Sequence, residues 1–265
     1  MNLEQGVRTA VAIRRSPKDR SSVRLNGRTL IRPSVSKRVI DDYVALSGGH
    51  WRVRVEHQCK LPVGAGYGTS GAGATSLSLA LNSAFGSQLS RLEALKIAHI
   101  ADARAKTGLG TVASVSQGGL AVRLEPGAPG VGMVKNLTIP TYLRVVSASF
   151  APLSTKRVLS SDALRKRVNL CSRGLVDNLL RRRDASSFVS LSRRFSDCLG
   201  LVSARLRVVL DALDERRIVA SMMMVGDGAF CMVPRKKASG VAKLFRTAGM
   251  STLISGVGRR GAHIV

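Results

Sequence analysis

Alternating apolar and polar positions predict β-strands in the first quarter of the chain. Trp51, Val53 and Val55 alternate with charged residues, a pattern typical of a strand that buries one face. Two further apolar runs, at 6–15 and 21–31, are separated by a turn-like cluster of Ser, Pro, Lys and Asp. We therefore expect at least three strands before residue 62.

Helical spacing of apolar residues appears between and after these strands. Residues 34–46 are predicted to form a helix that ends before a Gly-Gly pair. Another helix is predicted from Ser90 to Lys106, because Ser90 and Glu93 match an S-x-x-E capping box. The helix between them carries small and apolar residues at helical spacing: Ala74, Leu77, Ala80, Leu81, Ala84 and Phe85.

The second half of the chain mixes strands and helices without regular alternation. The predicted order is a strand at 141–150, helices at 155–182, 186–199 and 203–216, strands at 218–225 and 229–233, a helix at 236–248 and two short terminal strands. This order favours the α+β class. The Gly- and Pro-rich segment at 127–132 suggests a domain boundary, and we predict domains at 1–140 and 141–265.

Composition adds one unusual feature, a formal net charge of +26 from 42 basic and 16 acidic residues. Such a charge attracts anions, either nucleic acid or phosphate-bearing small molecules. The basic residues are spread along the chain in pairs and triplets, which indicates a generally basic surface and does not favour nucleic acid as a partner. The longest apolar stretch, 218–225, is far shorter than the roughly 20 residues of a membrane span, and no signal peptide is evident, so we expect a cytoplasmic protein.

The four cysteines show neither a CxxC motif nor zinc-type spacing. They are Cys59, Cys171, Cys198 and Cys231. In a cytosolic chain of this size we expect them to pack as small hydrophobic residues and not to form disulfides or a metal site.

The segment most indicative of function is a glycine-rich loop, PVGAGYGTSGAGA, from Pro62 to Ala74. It lies between a predicted strand and a predicted helix. Closely spaced glycines let backbone N–H groups approach a ligand, and the positive end of the helix dipole points into the loop. Together these features predict an anion site, above all for phosphate.

Three well-known loops do not account for this segment. A Walker A loop needs a lysine that is absent here. The stretch Gly66 to Gly71 fits G-x-G-x-x-G, yet a Rossmann unit should continue to a strand that ends in an acid, and here a capped helix follows. A protein-kinase loop joins two strands, which fails for the same reason.

The loop instead resembles the second motif of the GHMP kinases, P-x-x-x-G-L-G-S-S-A-A. Within that superfamily the amino-acid sequence of the loop is most similar to that of the archaeal pantoate kinases. Three later segments also resemble that family: HIADARAKTGLGTVASVSQGGLAVR, ASFAPLSTKRVL and SMMMVGDGAFCMV. The resemblance covers most of the chain from Pro62 onward. It implies an N-terminal domain like domain 2 of ribosomal protein S5 and a ferredoxin-like C-terminal domain.

The resemblance also implies a site for ATP and Mg²⁺. The residues expected to bind ATP are Pro62, Gly64, Gly66, Gly68, Thr69, Ser70, Gly71, Ala72, Gly73, Gly226 and Gly228. Ser70 and Asp102 take the catalytic and metal-binding roles. Asp102 shares a helix face with His99, which we expect to be an ordinary helix residue. The alternative for Asp102 is a solvated carboxylate near Arg104 and Lys106.

Two features depart from the family pattern. Some GHMP kinases place an aspartate base after the T-G-L-G-like turn, and here that position is Thr111. Phosphoryl transfer depends mainly on positioning and charge neutralisation, so a protein base is not required. The resemblance also implies an N-terminal strand and a first motif, which we expect this sequence to lack through a late start, a truncation or degeneracy, so we assign no acceptor-binding residues.

By resemblance, the expected reaction is ATP-dependent phosphorylation of the 4-hydroxyl of pantoate in archaeal coenzyme A biosynthesis. Lys and Arg side chains would neutralise the pantoate carboxylate. The alternatives are another GHMP kinase with a different hydroxy acid or alcohol, and a basic nucleic-acid-binding protein, although the chain has neither an RRM-type aromatic motif nor a zinc finger. A homodimer is compatible with the sequence, which does not determine the oligomeric state.

Overall fold

The computed structural model describes residues 1–108, 110–151, 162–224 and 226–265. Within these ranges the chain forms two compact units. The first unit consists of Gln5–Leu61, Gly68–Lys135 and Arg259–Val265. The second unit consists of Met1–Glu4, Pro62–Tyr67 and Asn136–Gly258.

The first unit packs helices on one face of a four-stranded sheet. Its strands are β1 (Val7–Arg15), β2 (Arg20–Leu25), β3 (Arg28–Thr29) and β4 (Trp51–Cys59), in the order β1-β4-β2-β3, and its helices are α1 (Ser34–Ser47), α2 (Thr69–Ala84), α3 (Arg91–Arg104) and α4 (Thr111–Gln117). Strand β5 (Leu120–Arg123) follows α4, and β6 (Val134–Leu137) lies where the chain passes to the second unit.

The alternation in β4 determines which face of this sheet is buried. Val53 and Val55 pack in a core with Ile40 of α1 and with Leu77 and Leu81 of α2. Arg52 and Arg54, which alternate with these valines along β4, lie on the opposite face, which is open to solvent. Burying apolar side chains on one face only is what holds α1 and α2 against the sheet.

The second unit has a ferredoxin-like βαββαβ arrangement. Its elements are β7 (Leu143–Ala151), α5 (Asp162–Ser172), α6 (Leu175–Arg182), α7 (Ala185–Leu199), α8 (Ala204–Asp214), β8 (Ala220–Met222), β9 (Asp227–Pro234), α9 (Arg235–Thr247) and β10 (Ser251–Ser255). The strand order β10-β7-β9-β8 is antiparallel throughout. Phe245, Leu206 and Leu210 are fully buried against this sheet.

The predicted elements are largely present, with local corrections. The run at 21–31 forms the β2–β3 hairpin and not one strand, because Asn26 and Gly27 adopt positive φ angles of 50° and 79°, as a two-residue hairpin turn requires. The helix predicted at 155–182 is interrupted at Gly174, with a φ of 68°, and its first residues, 155–161, lie outside the described ranges. Helix α4 was not predicted. Of the two terminal strands, β10 forms, and Val257 contributes an isolated bridge to Leu3.

The expectation that all four cysteines remain unpaired is wrong for two of them. Cys171 of α5 and Cys198 of α7 form a disulfide, with their Cα atoms 5.8 Å apart. Packing of these helices brings the two residues within disulfide range, although 27 positions separate them in sequence. Cys59 and Cys231 are free and buried, as predicted.

No helix in the described ranges is long and apolar enough to span a bilayer.

Candidate functional site

The amino end of α2 presents unpaired backbone donors to its surroundings. Gly68 caps this helix in the left-handed conformation, with a φ of 68°, and none of the side chains that the structure describes caps it. The first N–H groups of an α-helix lack intrahelical acceptors, so those of Thr69, Ser70 and Gly71 can bind an external anion. This is the local geometry that the glycine-rich loop predicts.

Three side chains of the first unit meet beside this helix end. The Ser70 hydroxyl lies 3.0 Å from Asp102 Oδ1 and 2.9 Å from Thr107 Oγ1. The Thr107 hydroxyl donates to Asp102 Oδ1 at 2.7 Å. Helix α2 thus contributes the serine, α3 contributes the aspartate, and the segment that follows α3 contributes the threonine.

Glycines keep this cluster accessible. A Cβ atom on Gly108 would lie 1.9 Å from Asp102 Oδ2, so any larger residue there would displace the carboxylate. A Cβ atom on Gly71 would lie 2.7 Å from Thr111 Cβ and 3.2 Å from Asp102 Oδ2. Gly71 and Gly108 therefore both leave the space that the Asp102 carboxylate occupies, although more than thirty positions separate them in sequence.

The electrostatics of the cluster favour a bound cation. Asp102 is only 2% exposed, yet within the described ranges its carboxylate has hydroxyl partners and no ion pair. Buried carboxylates are normally paired with a cation or coordinate a metal. The prediction that Asp102 could be a solvated helix carboxylate is therefore wrong.

The donor set fits Mg²⁺ together with phosphate. A carboxylate and hydroxyls are the hard oxygen ligands that this ion prefers, and it commonly takes one or two carboxylates and completes its shell with substrate phosphates and water. Among the residues the structure describes, no group of three or more His, Cys, Asp or Glu could hold a metal without such help. Ser70 and Asp102 would hold the ion, close to the amino end of α2.

His99 lies one turn before Asp102 on α3. Burial lowers the pKa of His99 below its usual value, the nearby Arg123 lowers it further, and Asp102 opposes both effects. The ring does not hydrogen-bond to the Ser70–Thr107–Asp102 cluster. We assign His99 no chemical step.

The second unit contains the other predicted ligand-binding glycines. Gly64 and Gly66 have φ angles of 82° and 89°. A Cβ atom on Gly226 would lie 2.4 Å from the Ala65 carbonyl oxygen, and one on Gly228 would lie 2.4 Å from the Ala148 carbonyl oxygen. Gly226 thus lets its turn pack directly on the backbone of the glycine-rich loop, whereas Gly228 accommodates strand β7.

The structure therefore divides the predicted site residues into two groups. Gly68, Thr69, Ser70, Gly71, Ala72, Gly73 and Asp102 lie in the first unit, and Pro62, Gly64, Gly66, Gly226 and Gly228 lie in the second. Sequence reasoning missed Thr107, although it belongs to the T-G-L-G segment that carries part of the family resemblance. Gly73 has only an ordinary van der Waals contact, with His57, so its backbone conformation does not demand glycine.

Comparison with known proteins finds a family match within the first half of the chain. Residues 35–119 match the family model described as the GHMP kinases N terminal domain. This match begins at the second residue of α1, ends beyond α4 and includes Ser70, Asp102 and Thr107.

A curated relative, the pantoate kinase of Thermococcus kodakarensis, is 34% identical over 193 residues. The alignment covers 72% of this chain and 63% of the relative, so the matched region spans less than two thirds of that protein's length.

Solved structures share the complete fold. A protein described as a phosphotransferase related to the CoA biosynthesis pathway superposes with a TM-score of 0.88 at 27% identity, covering 98% of this chain and 86% of that chain. A structure described as MDDEF in complex with MVAPP, AMPPCP and magnesium superposes with a TM-score of 0.69 at 16% identity, covering 94% of this chain and 85% of that chain.

Proposed function

We propose that the chain is a GHMP kinase that transfers the γ-phosphoryl group of ATP to the 4-hydroxyl of pantoate, a proposal supported by the family match at residues 35–119 and by the shared fold. The observation that carries this proposal is the buried Asp102 carboxylate, which has hydroxyl partners and lies beside an uncapped helix end. The helix end attracts an anion and the buried carboxylate attracts a cation. A nucleotide phosphate would supply the negative charge, and its magnesium ion would supply the positive charge.

The roles of the individual residues follow from their positions. The N–H groups at the start of α2 bind phosphate oxygens, since they have no acceptor within the helix. Ser70 and Asp102 hold the magnesium ion, and Thr107 fixes the rotamer of Asp102 through its hydroxyl. The ion, when bound, neutralises the charge that develops on the phosphate oxygens. We assign no general base, because position 111 is a threonine.

Pantoate is proposed as the acceptor because of the relatives. The curated pantoate kinase is 34% identical over 193 residues, and the structural neighbour with a TM-score of 0.88 is described as a phosphotransferase related to the CoA biosynthesis pathway. A neighbour of the same fold has been solved with AMPPCP and magnesium, which supports MgATP as the donor. We further place the reaction in the cytoplasm, where ATP is supplied.

A substrate panel tests this assignment. ADP release from MgATP would be measured with D-pantoate, mevalonate, homoserine and glycerate, each in parallel with an acceptor-free control. We expect turnover with pantoate and background rates with the other three. Turnover with one of the others and not with pantoate would retain the kinase chemistry and reject this acceptor.

A further inference from the structure

The solvent face of the first unit's sheet presents a dense group of arginines. Six of them point away from the face that buries Val53 and Val55, and we call this group the arginine face: Arg8, Arg14, Arg20, Arg24, Arg52 and Arg54. Sequence alone shows only that Arg52 and Arg54 share a strand face. The strand register brings the other four beside them.

Three of these arginines form a row across three strands. Arg14 of β1 lies directly opposite Arg52 of β4, and Arg20 of β2 lies opposite Arg52 on its other side. Neighbouring strands are about 4.8 Å apart, and Arg54 lies about 6.6 Å farther along β4. The arginine face is therefore a grid of positive charges at close spacing.

This grid lacks internal compensation. In the described parts of the chain none of the six arginines forms an ion pair. The one carboxylate on the same face, Glu56, accepts a hydrogen bond from the Gly27 backbone at 2.8 Å. The pKa of Arg52 is lowered, first by Arg14, then by burial and by Arg20 and Arg54. Like charges directly opposite each other destabilise a sheet, so the arrangement costs stability that a bound polyanion would restore.

The side-chain types on this face indicate which polyanion fits. All six basic residues are arginine, whose planar fork binds phosphate oxygens in a bidentate manner, as lysine does not. The positions between them are small: Ala10, Ala12 and Ser22. The face offers no aromatic ring for stacking bases and no large apolar side chain for insertion into a lipid layer.

We propose that the arginine face binds the phosphodiester backbone of nucleic acid without reading its sequence. The spacing of the grid lets an extended strand contact several arginines at once, and the absence of stacking residues limits recognition to phosphates. This goes beyond the proposed kinase reaction and against our expectation from sequence that nucleic acid is not a partner. None of the six arginines belongs to the Ser70–Thr107–Asp102 cluster, so the two functions are separable.

The test is fluorescence anisotropy of the full chain with a labelled single-stranded RNA of mixed sequence, over a series of salt concentrations. For the unaltered chain we expect a linear fall of log K with log salt. In the triple variant Arg14→Gln, Arg20→Gln, Arg52→Gln the slope should decrease by about 2, because each lost phosphate contact removes about 0.7. Affinity at about 0.1 M salt should fall on the order of 100-fold.

A charge-matched control separates this face from the general charge of the protein. Arg235→Gln, Lys236→Gln, Lys237→Gln removes the same three charges from exposed positions at the start of α9. This variant should lose less than about 5-fold in affinity and keep its slope. Equal losses in the two triple variants would overturn the proposal, as would no binding by the unaltered chain at low salt.

Two further measurements complete the test. Removing mutual repulsion should leave the melting temperature of the Arg14, Arg20, Arg52 variant unchanged or raised, and the single variant Arg52→Gln should weaken RNA binding on the order of 5-fold. Phosphatidylglycerol vesicles serve as the competing anionic surface. If the chain binds them tightly through the same three arginines while RNA binding does not depend on these residues, the partner is a membrane and the proposal is wrong.

Discussion

At the scale of single residues, the proposed phosphoryl transfer depends on the Asp102 carboxylate. Asp102→Asn preserves the size of the side chain and removes its charge, and Ser70→Ala removes the neighbouring hydroxyl. Each should lower kcat by about 100-fold or more, as the loss of a transition-state electrostatic contact does. Thr107→Val should reduce turnover by about 10-fold, whereas Thr107→Ser retains the hydroxyl and should restore most of it. Steady-state kinetics with circular dichroism as a folding control would check this, and a fully active Asp102→Asn enzyme would remove Asp102 from the mechanism.

A second prediction at the residue scale concerns the buried His57. Its ring lies 2.8 Å from Thr9 Oγ1 and 3.1 Å from Ser36 Oγ, and burial lowers the pKa of His57. The unfolded chain therefore binds a proton at a higher pH than the folded chain does. The stability that the neutral His57 contributes is fully present above the pKa of histidine in the unfolded chain, about 6.5. It is lost as the pH falls below that value.

The measurement is urea unfolding at pH 8 and pH 5. The unaltered chain should lose more unfolding free energy over this range than His57→Gln, because glutamine does not take up a proton. His263→Gln, at an exposed histidine, is the matched control and should keep the pH dependence of the unaltered chain. An identical pH dependence in the His57→Gln variant would contradict this explanation.

At the scale of elements, the disulfide between α5 and α7 predicts a redox-dependent stability. It closes a loop across 27 positions, and a crosslink of that length stabilises a fold by about 3 kcal/mol. Cys171→Ser with Cys198→Ser should lower the melting temperature, and dithiothreitol should do the same to the unaltered chain. The reductant should have no effect on the double variant. A similar drop in both proteins would show that the disulfide is not the cause.

The turn at Gly226 gives another prediction at this scale. Gly226→Ala places a methyl group 2.4 Å from the Ala65 carbonyl oxygen, so the glycine-rich loop must shift. We expect a raised KM for ATP and a lowered melting temperature. Gly240→Ala, in α9 where the added methyl meets no atom within 4 Å, should stabilise the helix by about 1 kcal/mol and leave KM unchanged. A Gly226→Ala enzyme with normal KM for ATP would separate this turn from nucleotide binding.

What the sequence could predict also depends on scale. The predicted positions of periodic elements such as β4 and α1 agree closely with the observed ones, because alternation and helical spacing are local properties of the sequence. Contacts between distant segments were not. Nothing in the sequence indicates that Cys171 meets Cys198, that Arg14 and Arg20 flank Arg52, or that Thr107 bonds to Asp102. Ser70 and Asp102 are predicted site residues from family resemblance alone, and the structure places their side chains 3.0 Å apart.

At the scale of the whole molecule, residues 35–119 of the first unit match the model of the GHMP kinases N terminal domain, and the second unit has a ferredoxin-like sheet. The chain passes from one unit to the other within the glycine-rich loop. Pro62–Tyr67 belongs to the second unit, and α2, which follows, belongs to the first. The glycine-rich loop is therefore continuous with both. One chain segment, Pro62–Ala74, thus supplies backbone to each unit.

The most direct test of the central claim is ³¹P NMR of the products after the full chain is incubated with MgATP and D-pantoate. The account predicts ADP and a new phosphomonoester in equal amounts, with the phosphorus coupled to the protons at C4 of pantoate. It also predicts that Asp102→Asn yields neither product at a comparable rate. ATP consumption that releases only inorganic phosphate, or no new phosphomonoester in the presence of pantoate, would contradict it.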